Sequence, residues 1–228
     1  MAYKLESPTL LSTHTQSTPI FIASHKNCNM ARRNITSHLL LAALAFIIII
    51  STTTKAEQPG ATQFIRTSCS TTRYPQLCIT SLSAYASTIK TSPLQLAHAA
   101  LSVSLNGARS TSTMVSKLSA RGHMRPREAV AMRDCIESVA DSVDELRQAL
   151  GEMGHLRGHD IGLKIDDIQT WVSAALTDED TCVQGFTGKG TNGKVKENVR
   201  GQIVKVAQLT CNALALINGL ASLRSSSP

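Results

Sequence analysis

Apolar residues recur every three or four positions through four long segments of the chain, the spacing that lines one face of an α-helix. Strand signals are almost absent, because aromatic residues are few and Ala, Ser and Leu are abundant. The pattern therefore predicts an all-α fold. The four stripes contain Leu94, Ala97, Leu101, Ala108, Val115 and Leu118; Ala129, Met132, Ile136, Val139, Val143, Leu146 and Leu150; Ile168, Val172, Ala175, Glu179, Cys182 and Phe186; and Val199, Ile203, Val206, Thr210, Ala213, Ile217 and Leu220.

Capping residues and helix breakers mark the ends of these segments. A serine followed by Pro93 is typical of a helix start, and Pro126 opens the second helix in a similar way. Gly151 suits the left-handed position that ends a helix. The third helix is predicted to begin at Asp166 and to be closed by the glycine-rich stretch 188–193. Short links between long amphipathic helices favour antiparallel neighbours, so we expect an up-down-up-down four-helix bundle.

A smaller unit precedes the bundle. Residues Thr62–Tyr85 are predicted to form an N-terminal helical hairpin, with Cys69 and Cys78 on either side of its turn. A local disulfide between these two is the first expectation, although spacing alone does not choose among pairings. A bridge between Cys135 and Cys182 would then join the second helix to the third.

The N-terminal part has the features of a secretory signal. Leu39–Ile50 is an uncharged apolar run, too short to span a bilayer, with two arginines before it and small residues after it. We expect residues 1–56 to be an N-terminal extension and signal peptide, and residues 57–228 to be one mature domain. Met30 opens the signal pattern and is expected to be the true start, with a long leader from Met1 as the alternative.

Charge and cysteine content refine this picture. The whole chain has 23 basic and 16 acidic residues, and residues 1–56 hold five and one of them, so the mature charge is 18 − 15 = +3. This mild charge, with few aromatics, gives little reason to expect a nucleic-acid partner, and no membrane association of the mature form is expected. Five cysteines remain in the mature part. Five is an odd number, so one thiol is expected to be free.

No arrangement of catalytic residues stands out. His155 and His159 have the spacing of two metal ligands on a helix, but the glycines around them indicate a loop. The stretch 188–193 lacks the spacing of a phosphate-binding loop, and no Gly-x-Ser-x-Gly sequence occurs. The acidic run Asp178–Asp180 is interpreted as a solvated helix face. We therefore expect a protein that is not an enzyme and has no catalytic residue, cofactor or metal.

Two polar stripes are better candidates for function. Residues three and four apart share one side of a helix, so each set lies away from the apolar stripe of its own helix. An ordinary solvent-facing surface is the alternative interpretation. If the second and third helices are neighbours, the two stripes together form a docking surface. They contain Glu137, Asp141, Asp144 and Gln148 on the second helix, and Thr170, Ser173, Thr177, Thr181 and Gln184 on the third.

Two motifs resemble those of the plant invertase and pectin methylesterase inhibitors. The stretch Ser68–Cys78 is similar to the paired-cysteine hairpin that opens these proteins, and Trp171–Cys182 is similar to their third-helix signature. The resemblance covers essentially the whole mature chain. It implies a disulfide-stapled four-helix bundle with the bridges Cys69–Cys78 and Cys135–Cys182, and it leaves Cys211 as the free thiol.

The resemblance also favours one target enzyme. Invertase inhibitors carry a Pro-Lys-Phe tripeptide late in the bundle, whereas no proline lies here between Pro126 and Pro228. Tyr85–Pro93 is similar to the methylesterase-inhibiting branch that includes the 21 kDa proteins. The resemblance implies a secreted apoplastic protein that binds pectin methylesterase 1:1 and blocks its pectin-binding cleft; an invertase inhibitor and a non-inhibitory ligand-binding bundle are the alternatives. The expected contacts are Thr181, Asp141, Asp144, Gln184, Glu137 and Thr177.

Overall fold

A computed structural model describes residues 59–122, 124–187 and 193–225 of the chain. Helices account for most of these residues, and none of them lies in a strand, so the predicted all-α class is confirmed. The predicted signal sequence, its cleavage point, Met30 and most of the stretch 188–193 lie outside the described residues.

The first part of the chain folds into the predicted helical hairpin. It comprises α1 (Pro59–Cys69), α2 (Pro75–Leu82), a 3₁₀ turn (Ser83–Tyr85) and α3 (Ala86–Ile89). A disulfide joins Cys69 at the end of α1 to Cys78 in α2, with 5.6 Å between their Cα atoms. Pro75 stands in the first turn of α2, where a missing N–H costs no helical hydrogen bond.

Four long helices follow and form the bundle. They are α4 (Pro93–Ala120), α5 (Pro126–Met153), α6 (Ile161–Gly185) and α7 (Lys194–Ser225). The start of α4 is capped as predicted, since the Ser92 hydroxyl accepts a hydrogen bond of 3.3 Å from the Gln95 N–H. Each helix packs against the next, and α4 also packs against α7, which closes the ring and leaves α4 diagonal to α6. This arrangement is the up-down-up-down bundle.

One buried amide fastens the hairpin to the bundle. Asn212 of α7 is 3% exposed, and its Oδ1 accepts a hydrogen bond of 3.0 Å from the Tyr74 N–H. Its Nδ2 donates a second bond of 3.0 Å to the Tyr74 carbonyl. A buried amide costs stability unless it is hydrogen-bonded, so these two bonds both satisfy Asn212 and position the turn between α1 and α2.

Two predicted helix ends were wrong. Gly151 does not end α5, which continues to Met153 and is capped by Gly154 at a φ of −66°. Met153 is 3% exposed, and burying its side chain outweighs the cost of about 1 kcal/mol for a glycine inside a helix. Helix α6 begins at Ile161 rather than Asp166. Its first turn includes Leu163, which is 69% exposed, so the apolar stripe does not reveal this turn.

Buried side chains of the four long helices form the core of the bundle. Ala129, predicted as part of the α5 stripe, is exposed, whereas Met132 and Val139 are buried. Where α4 ends and α5 begins, buried side chains from all four long helices meet around Phe186.

Helix α7 is long and apolar enough to cross a membrane, but 72% of its most apolar window is buried, so it serves as a core helix.

Candidate docking face

Helices α5 and α6 are joined covalently near one end of the bundle. The disulfide between Cys135 and Cys182 holds their Cα atoms 4.3 Å apart. Both cysteines are almost fully buried, whereas Thr181, the neighbour of Cys182, is exposed. The bridge therefore fixes the turn of α6 that carries Thr181 against α5.

The six residues predicted as contacts are all exposed on these two neighbouring helices, and we call them the polar face. Three lie on α6, where the Thr181 hydroxyl donates to the Thr177 carbonyl over 2.9 Å and the Thr177 hydroxyl donates to the Ser173 carbonyl over 3.1 Å. These bonds use the hydroxyl protons, so toward other groups the two oxygens can act only as acceptors. The polar face comprises Glu137, Asp141, Asp144, Thr177, Thr181 and Gln184.

Two carboxylates of the polar face, Asp144 and Asp141, have different surroundings. Asp144 forms an ion pair with Arg147, three residues later on α5, and both side chains are mostly exposed. Such a pair contributes at most about 1 kcal/mol to stability, but it moderates the negative charge that Asp144 presents. Asp141 lies close enough to Glu145 and Asp178 for its charge to act on both. It therefore contributes to an acidic cluster that spans α5 and α6.

The predicted solvent exposure of the Asp178–Asp180 run was wrong for its middle residue. Glu179 is 1% exposed and points into the bundle. Its Oε1 accepts hydrogen bonds from the Ser142 hydroxyl of α5, at 2.9 Å, and from the Thr210 hydroxyl of α7, at 3.0 Å. Its Oε2 has no partner among the described residues. One carboxyl group thus links three of the four bundle helices.

Burial keeps this carboxyl group neutral. The pKa of Glu179 is raised to about 8, chiefly by desolvation; the two hydroxyl donors lower it, and the charges of the nearby Asp178 and Glu145 add to the increase. Below that pH the group is a carboxylic acid. An ionised carboxylate at this position would be a buried charge without a cationic partner, which is far costlier than a buried neutral acid.

A second carboxyl pair lies closer to the surface. Desolvation, a side-chain hydrogen bond with Asp178 and the negative charges of Asp178 and Asp141 raise the pKa of the half-buried Glu145 to about 8. Burial also raises the pKa of Asp178, while its hydrogen bond with Glu145 lowers it. The two carboxyl groups therefore titrate as a coupled pair, in which a negative charge on one disfavours ionisation of the other.

Replacing Asp178 with asparagine is expected to lower the pKa of Glu145, because the change removes the negative charge beside it. The titration of the Glu145 side-chain carbonyl, followed by NMR, measures this pKa directly. Asp167→Asn changes an exposed acid three turns earlier on α6 and serves as the control. An unchanged Glu145 pKa in Asp178→Asn, or an equal decrease in the control, would contradict this coupling between Glu145 and Asp178.

Comparison of the sequence with models of known protein families shows the family of this chain. Residues 63–216 match the model of the plant invertase/pectin methylesterase inhibitor family, which is about two thirds of the chain. The chain belongs to this family. It is 44% identical over 184 residues to the 21 kDa protein of Daucus carota, an alignment that covers 79% of this chain and 95% of that protein.

Further similarities extend to an Arabidopsis thaliana protein and to a solved structure. The chain is 44% identical over 192 residues to Pectinesterase inhibitor 9 of Arabidopsis thaliana, and the alignment covers 82% of this chain and 94% of that relative. The crystal structure of mutant form A of a pectin methylesterase inhibitor from Arabidopsis superposes with a TM-score of 0.54 at 21% identity. The superposition covers 66% of this chain and 92% of the chain in the crystal structure, and it shows that the two share a fold.

The predicted free thiol at Cys211 needs a correction. Cys211 is fully buried on α7 and is disulfide-bonded rather than a free thiol. The odd number of cysteines on which the prediction rested applies only after residue 56, because Cys28 brings the whole chain to six. A free Cys211 thiol therefore stays a prediction only for a chain from which residues 1–56, and with them Cys28, have been removed.

Proposed function

We propose that this chain is a secreted inhibitor of pectin methylesterase and has no enzymatic activity of its own. The observation that carries the proposal is the polar face, exposed on two helices that a disulfide holds together, in a chain that aligns with 94% of Pectinesterase inhibitor 9 and 95% of Pectinesterase inhibitor 11. Secretion agrees with the apolar run near the N-terminus and with a disulfide-bonded fold.

Inhibition requires the polar face to cover the pectin-binding cleft of the enzyme in a 1:1 complex. Thr181 and Gln184 on α6 present hydrogen-bonding groups, and Asp141 on α5 presents a carboxylate. The bridge at Cys182 restrains the turn that carries Thr181, so little conformational entropy is lost there on binding. Preorganisation of this kind raises affinity without adding contacts.

Thr181→Trp is expected to weaken inhibition about a hundredfold, equivalent to about 2.7 kcal/mol of binding energy, because an indole at this position holds the two surfaces apart. The side chain is exposed, so the melting temperature should barely change. The inhibition constant against a pectin methylesterase is the measurement, with circular dichroism to confirm the fold.

Thr80→Trp provides a matched control for that experiment. Thr80 is an exposed helical threonine on α2, and its hydroxyl donates to the carbonyl four residues earlier over 2.9 Å, as Thr181 does. Its variant should inhibit like the unmodified protein. Full inhibition by Thr181→Trp, or equal losses in the two variants, would exclude the polar face as the enzyme contact.

A further inference from the structure

Charge is distributed unevenly among the helices of the bundle. Residues 137–180, which include most of α5 and α6, contain eleven acidic and three basic side chains. Residues 109–133, at the end of α4 and the start of α5, contain one acidic residue, Glu128. The basic residues of that second region are Arg109, Lys117, Arg121, Arg125, Arg127 and Arg133.

The fold gathers further positive charge at the same end of the molecule. Up-down connections place the start of α7 beside the end of α4, and Val115 of α4 packs in the same cluster as Val199 of α7. Lys196 and Arg200 therefore lie at the end that also carries Arg121. Acidic residues lie at this end too, including Asp134, Asp180 and Glu197, but they stand on α5, α6 and α7 and not on the last turns of α4.

A groove runs along the last turns of α4 at this basic end. It has a volume of about 490 Å³ and is lined by Ser110, Thr113, Met114, Lys117, Leu118 and Arg121. Lys117 and Arg121 stand four residues apart on one side of the helix and are exposed. Within the described part of the chain neither forms an ion pair with an acidic residue. The groove thus offers two available cations, two hydroxyl groups and an apolar floor.

We infer that this groove binds a polyuronate chain, the de-esterified form of pectin. Lys117 and Arg121 pair with carboxylates along the chain, and Arg can do so through two parallel hydrogen bonds. Ser110 and Thr113 supply partners for sugar hydroxyls, while Met114 and Leu118 cover the C–H faces of a sugar ring. The inference rests on the proposed function, because a pectin methylesterase converts neutral esters of pectin into these carboxylates.

The groove and the polar face are on different helices. Helix α4 packs against α5 and α7, and α6, which carries Thr181, lies diagonally across the bundle. A bound uronate chain on α4 therefore leaves Thr181 and Gln184 open to the enzyme. The inhibitor would be retained on de-esterified stretches of pectin, next to the enzyme that produces them.

Affinity electrophoresis of the mature chain through gels containing polygalacturonate, or fully methyl-esterified pectin, tests the inference. The unmodified protein should be retarded by polygalacturonate and not by the esterified polymer, and added salt should weaken the effect. Lys117→Gln/Arg121→Gln should raise the apparent dissociation constant for polygalacturonate about tenfold. Arg66→Gln/Arg73→Gln removes the same charge from the hairpin, which packs near the start of α4, and should bind like the unmodified protein.

Three outcomes would overturn the inference: equal retardation by both polymers, equal losses in the two double variants, or binding to anionic lipid vesicles but not to polygalacturonate. The gel contains no methylesterase, so this result is independent of inhibition. A chain that is retarded but does not inhibit would contradict the proposed function and leave the groove assignment supported. One that inhibits but is not retarded would contradict the groove assignment alone.

Discussion

Replacing both Cys135 and Cys182 with alanine should lower the free energy of unfolding of the mature chain by about 4 kcal/mol. The bridge closes a loop with a sequence separation of 47, so its loss greatly increases the conformational freedom of the unfolded chain. The Cys69–Cys78 bridge closes a loop with a separation of only 9. Its removal by the same substitutions should cost about 2.7 kcal/mol. Urea unfolding followed by circular dichroism gives both values.

The comparison between the two bridges is the informative result. Equal losses of stability, or a larger loss from the Cys69–Cys78 pair, would show that chain entropy does not govern these bridges. The Cys135–Cys182 variant should also inhibit less well where it remains folded, because the bridge restrains the polar face. The Cys69–Cys78 variant is the matched control, since that bridge lies within the hairpin and not between α5 and α6.

Glu179→Gln should remove a pH dependence of stability that amounts to several kilocalories per mole. The folded pKa of Glu179 is raised to about 8 from an ordinary value of 4.5. Between these pH values the unfolded chain has released the proton and the folded chain still holds it. The free energy of unfolding therefore falls by about 1.4 kcal/mol per pH unit, on the order of 5 kcal/mol in all. Glutamine does not ionise and keeps an oxygen for Ser142 and Thr210.

Unfolding experiments between pH 4 and pH 9 measure this difference. Between the two pKa values, the slope of the free energy of unfolding against pH should be less negative in Glu179→Gln than in the unmodified protein by about 1.4 kcal/mol per pH unit. Outside that range the two slopes should be equal. Asp167→Asn, which changes an exposed acid on the same helix, should leave the slope unaltered. Identical slopes in Glu179→Gln and the unmodified protein would mean that Glu179 is ionised in the folded state, contrary to its burial.

Much of the fold can be predicted from the sequence, because four periodic stripes and short links leave few ways to bury apolar surface. The ends of the helices were harder to predict. Gly151 has the usual character of a terminator, and only the tertiary burial of Met153 shows why the helix continues. Glu179 stands in register with Val172, Ala175 and Cys182, so its burial was signalled by position. Its acidic neighbours, Asp178 and Asp180, suggested instead that its side chain faces solvent.

The candidate site was predictable as a set of residues but not as a geometry. Exposure of Thr181 and Asp141 follows from their positions opposite the apolar stripes. The proximity of Asp141 to Asp178 depends on how α5 and α6 are aligned lengthwise, which helical periodicity does not determine. The basic groove likewise depends on the structure, because Lys117 and Arg121 line it together with Met114 and Leu118 on the last turns of α4. The net charge of residues 57–228 did not reveal it.

Titration of two enzymes with the mature chain tests the central claim most directly. Residues 57–228 are added in increasing amounts to a pectin methylesterase and, separately, to an invertase, and the remaining activity of each is measured. The account predicts that methylesterase activity falls nearly to zero close to an equimolar ratio while invertase activity is unchanged. Full methylesterase activity in the presence of excess folded protein, or loss of invertase activity instead, would contradict it.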